Sequence, residues 1–534
     1  MKPIALNFLT LLFCAILAAG GRAQDFNGDG YADLAVGVPN EDGAAPNCGA
    51  VHVLYGGPGG LSSTNNQLFD QSTPGLGETA ENGDGFGYAL AWGDVNGDDI
   101  DDLAIGVPFE DIFSGRYPPT NITDTGLVHL LFGSVGSGLS ASGSRIYTQA
   151  SYSGAELEAG DMFGYSIAIG QFYSRYSWRE DLAVGAPFET VGSITAAGAV
   201  YVFPSPYDTG HVPQRWVQNS PGLTASAPEA YDLFGFSLAH GFLFDSEFLA
   251  IGVPFEDWNI LTDAGIVHVL YYDNATAALS SSGNQFWYQD SAGVFDVAEA
   301  GDRFGQSLAT GHFTGDFASY DLAIGVPGES VGAIEQAGAV VILYHDISQR
   351  LSATGNQLWT QGSFGIADDC EPFDSFGFAL AAGHCDDFYS AGPQDLLIGV
   401  PAEDLGSSKV DAGAIHVLFG GPGGLGSSGS QFWTQDSSGI LDAAENGDQF
   451  GHSVVAGDFD RDYYDEVAAC VPWEDIASGS KTNIITDAGA VSVIYSRTGR
   501  PGSTGNQFWH QDSLGILGTN ETYDAFGFVV YSSE

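Results

Sequence analysis

The chain has 534 residues, of which 67 are acidic and 14 basic, for a formal charge of −53. A charge of that sign and size excludes nucleic acid and anionic membrane surfaces as partners, because both require a basic face. Hydrophobic residues make up 44%, enough for a large packed core, and the 75 glycines follow no collagen-like period.

Residues 1–23 read as a signal peptide. Lys2 gives a charged start, Asn7 to Ala19 is mostly apolar, and Gly21 and Ala23 are the small residues expected before a cleavage at Gln24. The apolar run is shorter than the roughly 20 residues of a membrane span, and no later run qualifies. A secreted, soluble protein is therefore expected, with 24–534 as a single domain. Cys48, Cys370, Cys385 and Cys470 remain. They are too few for a disulfide scaffold, no CxxC or Cys/His cluster points to zinc, and the pairs Cys370–Cys385 and Cys48–Cys470 are left open.

Three nine-residue stretches share one spacing. They are Asp25-Phe-Asn27-Gly-Asp29-Gly-Tyr31-Ala-Asp33, Asp94-Val-Asn96-Gly-Asp98-Asp-Ile100-Asp-Asp102 and Asp458-Phe-Asp460-Arg-Asp462-Tyr-Tyr464-Asp-Glu466. Each carries a carboxylate or amide at positions 1, 3, 5 and 9, and Tyr31, Ile100 or Tyr464 at position 7 can add a backbone carbonyl. Ca²⁺ takes six to eight oxygens, so these fifteen residues are read as the ligands of about three structural calcium ions. A metal-free Asn/Asp/Gly turn is the bland alternative. An EF-hand is excluded, because position 12 is Val36, Ile105 or Ala469 and no helix follows.

The loops belong to a longer repeat. A segment ending in Pro recurs at Pro39, Pro108, Pro187, Pro254, Pro327, Pro401 and Pro472, and a Phe-Gly pair at Phe86, Phe163, Phe234, Phe304, Phe376, Phe450 and Phe526. The period is about 73 residues. Within a unit, Phe-Gly opens an alternating strand and the acidic loop or its remnant follows. A small-residue strand then ends in Gly-Val/Ala-Pro. Polar loops starting Glu-Asp (Glu41, Glu110, Glu256, Glu403, Glu474) lead to a third strand, and a Gly/Ser-rich turn to a fourth. Four strands repeated seven times predict an all-β fold, a seven-bladed β-propeller. Residue 24 enters at an acidic loop, and the chain stops after Phe526-Gly-Phe-Val-Val-Tyr531. The C-terminal Phe-Gly strand is thus expected to pair into the N-terminal blade, residues 524–531 beside 33–38, and to remove an open sheet edge. The loops at 171–181, 242–247 and 384–395 have lost the acidic pattern. The loop at 312–321 keeps Thr314, Asp316 and Asp321 with an extra residue, and its metal status is open.

The combination of Phe-Gly, acidic loop and Gly-Val/Ala-Pro resembles the FG-GAP repeat of integrin α-subunits and bacterial relatives, in all seven units. The resemblance implies Ca²⁺ in loops on one face and ligands on the other. Extracellular recognition of a protein or glycan, with adhesion foremost, is the function it implies. No leg domain, transmembrane helix or cytoplasmic tail is expected, so a partner subunit is not implied. A lectin-like carbohydrate binder is the alternative, and a secreted hydrolase or lyase comes after it. No GxSxG, HExxH or P-loop occurs, and no enzyme is expected. Trp287, Trp359, Trp433 and Trp509 share one phase of the fourth strand and are read as packing residues rather than sugar platforms. His52, His129, His268 and His416 share a phase of the third strand and are read as exposed. The Glu-Asp and Asp-Ala-Gly loops (Asp263, Asp411, Asp487) are read as an acidic, solvated rim. Asn121, Asn274 and Asn520 begin glycosylation sequons.

Overall fold

The computed structural model describes residues 24–531, apart from 114–120, 155–156, 174–177, 224–226, 244–245, 317–318, 347–349, 387–391, 478–483 and 498. The expected signal peptide at 1–23 lies outside the described residues. Seven four-stranded antiparallel sheets account for nearly all regular structure, and the only helical elements described are the 3₁₀ turns Gln149–Ser151 and Gly406–Ser408. The fold is a seven-bladed β-propeller.

The second blade shows the plan. Its strands run Ala89–Gly93, Asp102–Val107, Leu127–Phe132 and Ser140–Tyr147, each hydrogen-bonded to the next. The first two are buried throughout and the third almost so, because neighbouring blades cover both faces. The fourth is half exposed, since it forms the outer edge. That explains why the inner strands read as near-continuous apolar runs and the outer ones as Ser/Gly/Asn-rich.

The first blade closes the ring. Leu34–Val38, Ala50–Tyr55 and Ser62–Phe69 are joined by Val529–Tyr531 from the far end of the chain. The register sets Ala35 opposite Tyr531, Val36 opposite Val530 and Gly37 opposite Val529, as the arrangement of the repeats predicts.

The two Gly-containing motifs meet between blades. A Cβ on Gly37, in the second strand of the first blade, would sit 2.2 Å from the carbonyl oxygen of Gly87, in the Phe-Gly pair of the next. Gly106 stands in the same relation to Gly164 at 2.1 Å. Only glycine permits that approach. The Phe of the pair then docks in full burial. The Phe86 N–H donates to the Cys48 carbonyl oxygen at 2.9 Å, and its ring packs on His129 with centroids 5.6 Å apart.

The acidic loops and the two faces of the ring

Each acidic loop lies between the first and second strands of its blade, and its backbone wraps around its own carboxylates. In the first loop, Asp25 accepts the N–H groups of Gly28, Asp29 and Gly30 at 2.6, 3.1 and 2.7 Å. In the second, Asp94 accepts those of Gly97, Asp98 and Asp99 at 2.6, 3.0 and 2.9 Å. In the last, Asp458 accepts those of Asp462 and Tyr463, both at 3.0 Å. Position 5 takes the N–H of position 7, Asp29 from Tyr31, Asp98 from Ile100 and Asp462 from Tyr464, at 3.0 to 3.1 Å. Position 9 holds the start of the loop. Asp33 accepts from Phe26, Asp102 from Val95 and Glu466 from Phe459. Glu466 therefore replaces Asp without loss of this contact.

These bonds tie positions 1, 5 and 9 in place and leave oxygens over. Asp458, Asp460 and Asp462 bring one carboxylate oxygen each within 4.8 Å of the others. Oδ1 of Asn27 and Oδ1 of Asp460 are buried with no hydrogen-bond partner. Burial, with the neighbouring acids, drives the Asp102 carboxyl up to about 9 and that of Asp458 up to about 7, and it holds Asp33 and Glu466 well above the ordinary carboxylate range. Acids so placed are costly to ionise unless a cation stands beside them, and a hard cation with oxygen ligands fits this donor set.

The remaining loops are built differently. In the third blade Asp181 still accepts the N–H groups of Tyr173 and Ser205 at 2.7 and 2.9 Å. In the fourth, His240 Nε2 lies 3.4 Å from Glu247 Oε2. In the fifth, His345 bridges Asp321 and Asp316. In the sixth, Asp386 accepts two bonds from the Arg500 guanidinium, at 2.7 and 3.1 Å.

The same loops latch the ring. The Asp101 carboxylate takes the N–H of Asp25, and the Asp101 N–H returns to the Asp25 carbonyl oxygen. Glu180 grips Asp94, Gln394 grips His312 and Asp465 grips His384 in the same reciprocal way. The residue before position 9 in one blade thus holds position 1 of the preceding blade.

The opposite face carries a second ring that sequence reasoning missed. The glutamine just after each fourth strand donates from Nε2 to the glutamate after the next blade's Gly-Val/Ala-Pro. The pairs are Gln71–Glu110, Gln149–Glu189, Gln218–Glu256, Gln289–Glu329, Gln361–Glu403 and Gln435–Glu474, at 2.5 to 2.6 Å, together with Gln511–Glu41. The signal was present as a glutamine two residues after the strand-four Trp, as in Trp433-Thr-Gln435. The expectation of a solvated acidic rim is corrected accordingly. The glutamates are buried in the seams, while Asp111, Asp257, Asp404 and Asp475 cap the backbone of the facing Asp-Ala-Gly turn or its counterpart. At Glu189 a guanidinium joins the seam, Arg215 Nη2 at 2.6 Å.

The histidine reading is corrected too. His52, His129, His268 and His416 are buried, because the third strand is covered by blades on both sides, and each packs on a Phe-Gly phenylalanine. Burial pushes His129, His268 and His416 down to about 4, so they are neutral. Trp287, Trp359, Trp433 and Trp509 are partly buried against the blade cores, as packing residues. Neither Cys370–Cys385 nor Cys48–Cys470 is a disulfide. Among the described residues, no helix is long and apolar enough to cross a membrane.

A ring of seven sheets latched by loops on one face and by Gln–Glu pairs on the other defines a repeat propeller, and comparison with known proteins specifies the repeat. A family model described as the FG-GAP repeat matches residues 19–54 and 86–131. The chain is 26% identical over 448 residues to the human protein "Phosphatidylinositol-glycan-specific phospholipase D", an alignment that covers 78% of this chain and 47% of the relative. The bovine protein of that name is 33% identical over 174 residues, covering 32% of this chain and 18% of the relative. "Integrin alpha-PS2" of Drosophila melanogaster is 30% identical over 176 residues, covering 32% of this chain and 10% of the relative. FG-GAP repeats are thus detected at residues 19–54 and 86–131 of a seven-bladed β-propeller, and the chain spans less than half the length of the curated relatives it matches. The expectation that no enzyme is involved is overturned, because three of the relatives bear the name of a phospholipase.

Proposed function

We propose that this chain is an extracellular recognition propeller whose three acidic loops hold structural Ca²⁺. The observation that carries the reading is the division of labour between the faces. The loops of blades seven, one and two are consecutive around the ring, and two contacts, Ala32 N–H to the Asp458 carbonyl oxygen and Asp25 N–H to the Asp101 carboxylate, run directly between them. Asp25, Asn27, Asp29 and Asp33, their counterparts Asp94, Asn96, Asp98 and Asp102, and Asp458, Asp460, Asp462 and Glu466 would supply side-chain oxygens. Tyr31, Ile100 and Tyr464 would supply carbonyls. Bound Ca²⁺ would neutralise the clustered acids and stiffen the latch, leaving the other face for a ligand. Adhesion to a cell or matrix surface is the use favoured by the likeness to integrin alpha-PS2.

A second reading has support of its own. The relatives named as phosphatidylinositol-glycan-specific phospholipase D favour a role at a glycolipid-bearing surface, in recognition of that substrate or in its cleavage. One experiment separates the two. Purified protein is incubated, with calcium or with chelator, with vesicles bearing a glycosylphosphatidylinositol-anchored protein and with immobilised extracellular matrix. Calcium-dependent retention on matrix alone supports adhesion. Retention on the vesicles, or release of the anchored protein, supports the glycolipid reading.

A further inference from the structure

In five blades, the residue just after the third strand (or its equivalent) lies over the acidic loop and meets the position-9 acid only through its backbone N–H. Gly56, Gly133, Ser205 and Gly420 do so at 2.9 to 3.0 Å, and Ser496 does so on Glu466 at 3.5 Å. The fifth blade has His345 there. Its N–H makes the usual bond to Asp321 Oδ1 at 3.1 Å, but its ring also enters the loop. Nδ1 lies 2.7 Å from Asp321 Oδ1, and Nε2 lies 3.1 Å from Asp316 Oδ2.

A neutral imidazole has one N–H and one acceptor nitrogen, and an ionised carboxylate only accepts. With ionised carboxylates at both ring nitrogens, both nitrogens donate and the ring is a cation. Asp321 is fully buried and the His345 side chain is 12% exposed, so the pair is poorly screened. Two neighbouring titratable groups are turned elsewhere. His312 directs its Nδ1 to the carbonyl oxygens of Asp316 and Ser319, at 3.0 and 2.9 Å, and stacks on Tyr320. Tyr344, the residue before His345, points its hydroxyl away to Gln357. The two carboxylates outweigh burial and hold the His345 imidazole above its ordinary range.

We propose that the fifth blade carries its loop cation on the chain itself. The His345 imidazolium, clamped between Asp316 and Asp321, does the work that Ca²⁺ is proposed to do in the three acidic loops, and this blade takes no metal. The comparison with calcium rests on the reading above, but the clamp does not. Arg500 on Asp386 is a second chain-borne cation, in the sixth blade. The fifth loop is consequently gated by protons. Its clamp is fully formed below the unfolded-state histidine value and is lost as the pH rises through the raised folded value.

The test uses the full chain with histidine labelled in its ring nitrogens. His345→Gln assigns the resonances, and Asp316→Asn, at a half-exposed position, provides a variant that folds if the core substitution does not. The expected result is two protonated ring nitrogens at pH 6, a midpoint above 6.5, a downward shift of that midpoint in Asp316→Asn, and no response of the His345 signals to added Ca²⁺. A neutral ring at pH 6, an unmoved midpoint in Asp316→Asn, or displacement of the His345 signals by Ca²⁺ would each overturn the proposal. Failure of the acidic loops to bind calcium would leave the protonation result readable.

Discussion

Val36 stands opposite Val530 in one antiparallel ladder, so the first and last described strands of the chain lie in one sheet. Val36 and Val530 are fully buried. The closure is therefore a core contact, and it seals the edge that would otherwise offer unpaired backbone groups to another chain.

Truncation before Phe526 should accordingly do more than shorten a tail. It removes the fully buried Phe526, Val529 and Val530 and bares the strand Leu34–Val38. We expect loss of the single cooperative melting transition and the appearance of oligomers by size-exclusion chromatography. An unchanged melting curve would show that the first blade stands without its innermost strand.

Substitution at the glycine contact between blades should be severe. Gly106→Ala places a Cβ 2.1 Å from the Gly164 carbonyl oxygen, and separating the two blades should cost at least about 1–3 kcal/mol. Denaturant titration measures this, with Gly59→Ala, whose Cβ would meet nothing within 4 Å, as the control expected to change little.

The Gln–Glu seams predict a pH dependence. Burial, assisted by nearby acids, drives Glu110 and Glu403 up to about 9, Glu474 to about 10 and Glu41 to about 8. A carboxyl whose folded value is raised favours the folded state while protonated. Below the ordinary glutamate value there is no penalty, and stability falls as the pH rises toward the folded values. The melting temperature at pH 5.5 should exceed that at pH 9.5, both in saturating calcium. Gln435→Leu should cost about 1–3 kcal/mol at pH 7 by leaving Glu474 buried without its donor.

Much of this architecture is legible in the sequence because the repeat states it seven times. Phe86-Gly87 and Gly106 are far apart in register yet recur together, since each glycine exists to let the next blade approach. The acidic loops are legible because oxygen-bearing side chains at alternate positions have a distinctive spacing. The seams are not, because Glu110 and Gln71 look like ordinary surface residues until burial is known. His129 was misread for the same reason, since alternation marks an exposed face only where a sheet has one solvated side. His345 could be found only in three dimensions, because it reaches its loop from another strand.

Calcium is proposed to hold the loops beginning at Asp25, Asp94 and Asp458. Chelation should lower the melting temperature, and each site occupied at 100 times its dissociation constant contributes about 2.7 kcal/mol. Replacing Asp29 and Asp98 by Ala should remove most of that sensitivity. The most direct measurement is the number of calcium ions retained per chain after equilibrium dialysis. Three are expected in the unaltered protein and one in the Asp29→Ala, Asp98→Ala double variant. Retention of none, or of the same number in both proteins, would show that these loops do not hold calcium.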